Sequence, residues 1–130
     1  WMYSAEMTSL SYDDALPLGP FDHAIDLFED GSLFLISLPG HSAGHQAVLL
    51  NLKGGSFLLT GDCAWTDVHW TGPTPKTALV RGALEFDWRQ NWENQFRIKA
   101  FADAHPEVTI VAGHEVANRQ RLKAWPAAYE

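Results

Sequence analysis

The sequence predicts a single α/β domain over residues 1–130, a mixed β-sheet with flanking helices. Three observations predict it. Short apolar runs of strand length recur at 33–38, 46–52, 56–60 and 108–112. The second and third are joined by Lys53-Gly54-Gly55, a hairpin turn in which glycine accepts positive φ. A helical pattern over 86–104 separates the third from the fourth, as in a strand–helix–strand crossover.

Composition narrows the function classes. A chain of 130 residues, 46% apolar and 12% aromatic, can pack one modest core. A net charge of −7 argues against a nucleic-acid surface, where Lys and Arg must neutralise phosphates. No apolar run approaches the roughly 20 residues of a membrane span. The lone Cys63 cannot form an internal disulfide, and the start, Trp1-Met2-Tyr3-Ser4-Ala5-Glu6, has no basic region followed by an apolar core. Both lead to the expectation of a cytoplasmic protein without a signal peptide.

In chain order, residues 1–20 are expected to be an irregular lead-in with room for one short helix, ending in Leu16-Pro17-Leu18-Gly19-Pro20. Phe21 to Asp30 reads as a short strand or extended segment, closed by a Glu29-Asp30-Gly31-Ser32 turn. Leu33 to Leu38 is a strand stopped by Pro39-Gly40. Gln46–Leu52 and Ser56–Thr60 form the hairpin. Residues 62–84 have glycines, prolines and no clear period, a long connection of the kind that borders sites. In the helix 86–104, Trp88, Trp92 and Phe96 recur every four residues and Phe101 and Ala104 extend an apolar side. Arg89, Glu93, Arg97 and Lys99 suit the wet side, and His105-Pro106 ends the helix. Val108 to Ala112 is a buried strand. Asn118 is placed as the cap of a short helix through Lys123 or Ala124, closed by Pro126.

This order of elements makes three loops converge. His41 and His45 precede the strand 46–52, which runs away and returns, so Asp62 emerges at the same end as His41. The crossover through 86–104 then sets 108–112 parallel to 56–60, and His114 follows the second strand as Asp62 follows the first. Each of these residues alone reads as an ordinary loop or turn residue; their placement at corresponding strand ends points to a metal site. Imidazole and carboxylate ligands suit zinc, and also iron or manganese. Cys63 reads as a small buried cysteine and His69 as a surface histidine. Trp65 and Trp70 are candidates for an apolar pocket, with Trp88 and Trp92 assigned to the core. Glu115 is given no catalytic role.

Pro39-Gly40-His41-Ser42-Ala43-Gly44-His45, Leu58-Leu59-Thr60-Gly61-Asp62 and Ala112-Gly113-His114-Glu115 resemble the last three metal-binding motifs of the metallo-β-lactamase superfamily. The resemblance covers residues 21–120. Phe21-Asp22, Asp26-Leu27-Phe28 with Asp30-Gly31-Ser32, and Gly61-Asp62 ending at Trp65 look most like the N-acyl homoserine lactonase branch, whose activity is quorum quenching. The resemblance implies the C-terminal half of an αββα sandwich and two zinc ions. His41 would ligate the first, Asp62 bridge both and His114 ligate the second, with His45 as loop support. It implies hydrolysis of a small lactone or ester by a metal-bound hydroxide.

Two departures shape the expectation. The superfamily's His-x-His-x-Asp-His signature has no counterpart before His41, so this chain alone is expected to be inactive. Trp65 stands where lactonases often carry a Tyr, and an indole cannot act as an acid. The alternatives are a non-catalytic, truncated metal-binding domain and, within the same superfamily resemblance, a single-iron persulfide dioxygenase or a glyoxalase-type thioesterase. A half-fold exposes the sheet face its other half covers, which predicts a homo-oligomer.

Overall fold

The computed structural model describes residues 9–123. Among these residues, six strands form one sheet in sequence order: β1 (Leu16–Leu18), β2 (Phe21–Asp26), β3 (Leu33–Ser37), β4 (Gln46–Leu52), β5 (Gly55–Gly61) and β6 (Val108–Ala112). Neighbours are antiparallel except β5 and β6, which are parallel. The helices are α1 (Val68–Thr71), α2 (Ala78–Ala83), α3 (Trp88–Ala104) and α4 (Asn118–Arg121). The mixed sheet with its crossover helix is the expected α/β arrangement.

The register divides the sheet's side chains between two faces. Phe34, Leu49, Leu58 and Ile110 stand abreast across four strands, and the next row is Leu35, Val48, Leu59 and Val111. Alternation puts these rows on opposite faces. The first face carries the core: Ala24, Ile36, Ala47, Leu49, Leu58, Ile110 and Ala112 are buried with Phe21, Leu38 and, from α3, Ile98 and Phe101. On the opposite face Leu33, Leu35, Val48, Leu50, Leu59 and Val111 remain only half-buried.

Several expectations are corrected. The lead-in, irregular by expectation, contains β1, a three-residue edge strand. Pro17 is tolerated there because an edge strand need not donate on its outer side. Any helix in residues 1–8 lies outside the described residues. The stretch 62–84 holds two short helices, α1 and α2, too brief to show a period. The long helix begins at Trp88 rather than Phe86, because Asp87 caps it and accepts the N–H groups of Arg89 (3.0 Å) and Gln90 (3.1 Å). Its buried face is not the aromatic stripe. Asn91, Asn94, Gln95, Ile98 and Phe101 are buried, whereas Phe96 is 50% exposed and Trp88 and Trp92 are half-buried. The reason is the polar loops that α3 supports, described below. Asn118 does not cap α4. It lies inside it and donates to the Ala112 carbonyl at 2.6 Å. The helix ends at Arg121, with Leu122 extended, rather than at Lys123 or Ala124, and Pro126 lies outside the described residues.

Candidate metal centre

The three loops meet at one sheet end, as their order predicts. His41 lies in the loop between β3 and β4, Asp62 follows β5 and His114 follows β6. The Asp62 carboxylate stands between the two imidazoles. Its Oδ2 is 3.5 Å from His41 Nε2 and its Oδ1 is 2.8 Å from His114 Nε2. The site is open to solvent at its outer side, with the His41 side chain 23% exposed, Asp62 41% and His114 62%.

Each loop is held by groups outside itself. The His41 loop lies on the start of α3: Asp87 N–H donates to the Gly40 carbonyl (2.8 Å) and Phe86 N–H to that of His41 (3.1 Å). Asn94 Nδ2 donates to the Pro39 carbonyl at 2.7 Å. Gly40 has φ of +141°, and a Cβ there would come within 2.4 Å of the Asn91 nitrogen, so only glycine permits this approach. The His114 loop is fastened to the Asp62 loop by Gly113 N–H on the Ala64 carbonyl (2.9 Å) and His114 N–H on that of Trp65 (2.7 Å).

His45 ties the first loop to the second. Its Nε2 accepts the Asp62 N–H at 3.0 Å, so the proton sits on Nδ1, which donates to the Leu38 carbonyl at 3.1 Å. Burial holds this imidazole below its ordinary pKa, with His41 adding repulsion against the Leu38 bond, and the ring is neutral. It packs edge-on to His41 at 5.9 Å between centroids. With both nitrogens committed to the backbone, His45 is loop support rather than a ligand. Gly61, at φ of +52°, leaves the space this ring occupies; a Cβ there would lie 2.9 Å from His45 Nε2.

The Asp62 loop rests on polar side chains that the sequence reading passed over. Lys76 Nζ donates to the Asp62 carbonyl at 2.6 Å and to Glu85 Oε1 at 2.7 Å, and both side chains are 1% exposed. Asn91 Nδ2 bridges Glu85 Oε1 (2.8 Å) and the Cys63 carbonyl (3.3 Å), which also accepts Gln95 Nε2 at 3.2 Å. The buried stripe of α3 is polar because it satisfies loop carbonyls that would otherwise be orphaned. The only sequence signal was Asn91 and Gln95 one helical turn apart, masked by the aromatics beside them.

The other candidates fall outside the donor set. Cys63 is fully buried in the core and its thiol is pushed up to about 12 by burial. His69 accepts the Thr66 N–H at 3.2 Å within its own turn. Glu115 accepts the N–H groups of Asp67 (3.0 Å) and Ala117 (3.0 Å), a structural role. Trp65 packs edge-on to His114 at 5.4 Å, and its Nε1 is buried with no hydrogen-bond partner among the described residues.

His41, Asp62 and His114 have the right chemistry for a divalent metal but are few. Each carboxylate oxygen faces one imidazole, so a metal at either position would have two protein ligands here, where zinc sites take three or four. Among the described residues, no three His, Cys, Asp or Glu side chains are grouped to hold an ion. His41 Nδ1 is buried without a partner, whereas a ligating histidine normally donates its second N–H. The arrangement is a carboxylate set between two imidazoles, short of a complete donor set among the described residues.

No family model matches the chain. It is 31% identical over 112 residues to the N-acyl homoserine lactonase AttM of Rhizobium radiobacter, an alignment spanning 85% of this chain and 40% of that protein. It is 42% identical over 73 residues to the gamma-lactamase MBL2 of Gibberella moniliformis, covering 52% of this chain and 28% of that one. Among solved structures, an N-acyl homoserine lactone hydrolase with N-hexanoyl-L-homoserine at its catalytic metal centre superposes with a TM-score of 0.64 at 22% identity. It covers 80% of this chain and 38% of that one. The chain thus spans about 40% of the length of the curated lactonases it matches first.

Proposed function

We propose, from the premise that this chain is a partial-length relative of the lactonase-like branch of the metallo-β-lactamase superfamily, that it is the C-terminal portion of a metal-dependent hydrolase opening a small lactone or related cyclic ester. The observation that carries the reading is the Asp62 carboxylate, each oxygen of which faces a different histidine Nε2. A bridging carboxylate with one imidazole per side is the donor pattern of a two-metal site. The partial-length relatives named for lactone and lactam hydrolysis support a cyclic acyl substrate.

His41, Asp62 and His114 would hold the metal from this chain, and further ligands come from outside these 130 residues. A divalent metal supplies Lewis acidity toward a carbonyl and lowers the pKa of water. The chain's own part is to set the donors. His45 holds the Asp62 N–H and Lys76 its carbonyl, while Trp65 walls the His114 side. Trp65 has no proton to yield at neutral pH, so leaving-group protonation falls to another group.

The test is metal content per chain by mass spectrometry together with lactone opening by proton release, on this chain and on a longer product of the same gene. The expected result is weak metal binding and no turnover for the short chain, and both metal and turnover for the longer one. A longer product that binds no zinc, iron or manganese, or that opens the lactone equally well after its metal is removed, sinks the reading.

A second reading is a non-catalytic domain that pairs with another copy of itself. It is favoured by the half-buried apolar face of Leu33, Leu35, Val48, Leu50, Leu59 and Val111. It predicts a dimer by light scattering; a concentration-independent monomer excludes it.

A further inference from the structure

A buried ion pair lies directly beneath the proposed bridging carboxylate. Lys76 comes from the connection before α2 and Glu85 from the one before α3, and neither lies in the sheet or in the apolar core cluster. The ammonium donates to the Asp62 carbonyl and to Glu85, and its remaining side faces the Trp65 ring at 4.8 Å. Glu85 in turn takes the Asn91 amide. Withdrawing two charges from water costs about what their attraction returns, so an apolar pair of similar size would serve stability equally well. An apolar pair could not hold a backbone carbonyl. Asp62 is therefore gripped by side chains at both of its main-chain polar groups, at N–H by His45 and at C=O by Lys76.

We propose that Lys76 is a positioning residue for the metal centre: with Glu85 as its counter-ion, it fixes the Asp62 main chain so that the two carboxylate oxygens face His41 and His114. The inference rests on the metal-centre reading given above and deepens it. Lys76 touches neither histidine, and its contact with Asp62 is through the backbone oxygen. Its effect is on orientation. The Glu85 and Trp65 contacts keep the lysine in one place, and the polar stripe of α3 holds the adjoining Cys63 carbonyl in the same frame.

The test separates position from stability. Lys76→Met leaves Glu85 buried and uncompensated, so it lowers the melting temperature whatever the role of Lys76. The double variant Lys76→Met/Glu85→Leu removes both charges, and its melting temperature returns toward that of the wild type. Two further readouts are taken on these chains. Imidazole ¹⁵N shifts of the metal-free proteins report the His114–Asp62 hydrogen bond directly, and cobalt(II) titration by visible absorption reports the donor set. In the double variant the His114 shifts are expected to move to those of a free imidazole, and cobalt affinity to fall about 10- to 100-fold. Lys76→Arg, which keeps a donor at the same place, is expected to recover part of both. If the double variant keeps wild-type His114 shifts, the inference is overturned. If wild type takes up no cobalt, the metal reading loses its support while the ring shifts still decide the role of Lys76.

Discussion

The ring of His45 accepts the backbone N–H of Asp62 at 3.0 Å, joining residues 17 apart in sequence across the mouth of the β4–β5 hairpin. This one bond makes the first loop and the carboxylate loop a single unit. Replacing His45 with Ala strands two buried backbone groups, the Asp62 N–H and the Leu38 carbonyl. The expected loss is about 1–3 kcal/mol, read from urea unfolding. His45→Gln, which keeps a donor and an acceptor, should lose less. Equal losses in the two variants would show that packing rather than hydrogen bonding holds the ring.

Gly40 and Gly44 sit in the same loop and should respond oppositely to alanine. A Cβ at Gly40 meets the Asn91 backbone at 2.4 Å on a residue with φ of +141°, whereas one at Gly44 meets nothing within 4 Å. Gly40→Ala is expected to cost about 3 kcal/mol or more through strain and overpacking. Gly44→Ala should stay within about 0.5 kcal/mol of wild type. Thermal melting of the pair checks both.

Asp67 joins α1 to α4. The hydrogen bond from Arg121, helped by Trp70 Nε1 at 3.1 Å, holds its carboxyl below the usual carboxylate range. A depressed carboxylate pKa stabilises the fold above the unfolded value, near 4, and the contribution is lost as pH falls through the lower folded value. For so exposed a pair the contribution is of order 0.5 kcal/mol. Asp67→Asn should therefore melt slightly below wild type at pH 7, with the gap closing as pH falls below the unfolded value and through the lower folded one. A gap that widens on acidification contradicts the assignment.

Leu58 and Leu59 are neighbours on β5 that face opposite sides of the sheet. Leu58 is fully buried against the core under α3, while Leu59 is half-buried. Leu58→Ala is expected to cost about 3 kcal/mol, within the range for buried leucines. Leu59→Ala should cost about 1 kcal/mol or less in a monomer. If copies pair through this face, Leu59→Asp converts the dimer to monomer in light scattering while leaving circular dichroism unchanged.

Much of the sheet and all three proposed donors were legible in the sequence, because strand runs ended at Pro39-Gly40, Gly61 and Gly113 leave few ways to join them. A hairpin and a crossover then force His41, Asp62 and His114 to one end. What was not legible depends on distant partners. Asn94 is buried for the sake of the Pro39 carbonyl, 55 residues away, and Asn91 for that of Cys63, 28 residues away. A helical pattern scored by residue type therefore selects the stripe of Trp88, Trp92 and Phe96 instead. Lys76 and Glu85 lie in a stretch without period, where charges ordinarily mean solvent, and only the fold brings them together under Asp62. β1 and α1 were missed because three- and four-residue elements carry no periodicity.

The parallel pairing of β5 with β6 also sets an order of assembly. β2 to β5 pair with their sequence neighbours, so the hairpin that brings His41 and Asp62 together closes only a short loop. Asp62 and His114 are 52 residues apart and meet only after α3 has crossed the sheet. Loop-closure entropy makes that pairing the slower one. The antiparallel meander is therefore the part of the chain able to form first during refolding, and the His114 half of the donor set is completed last.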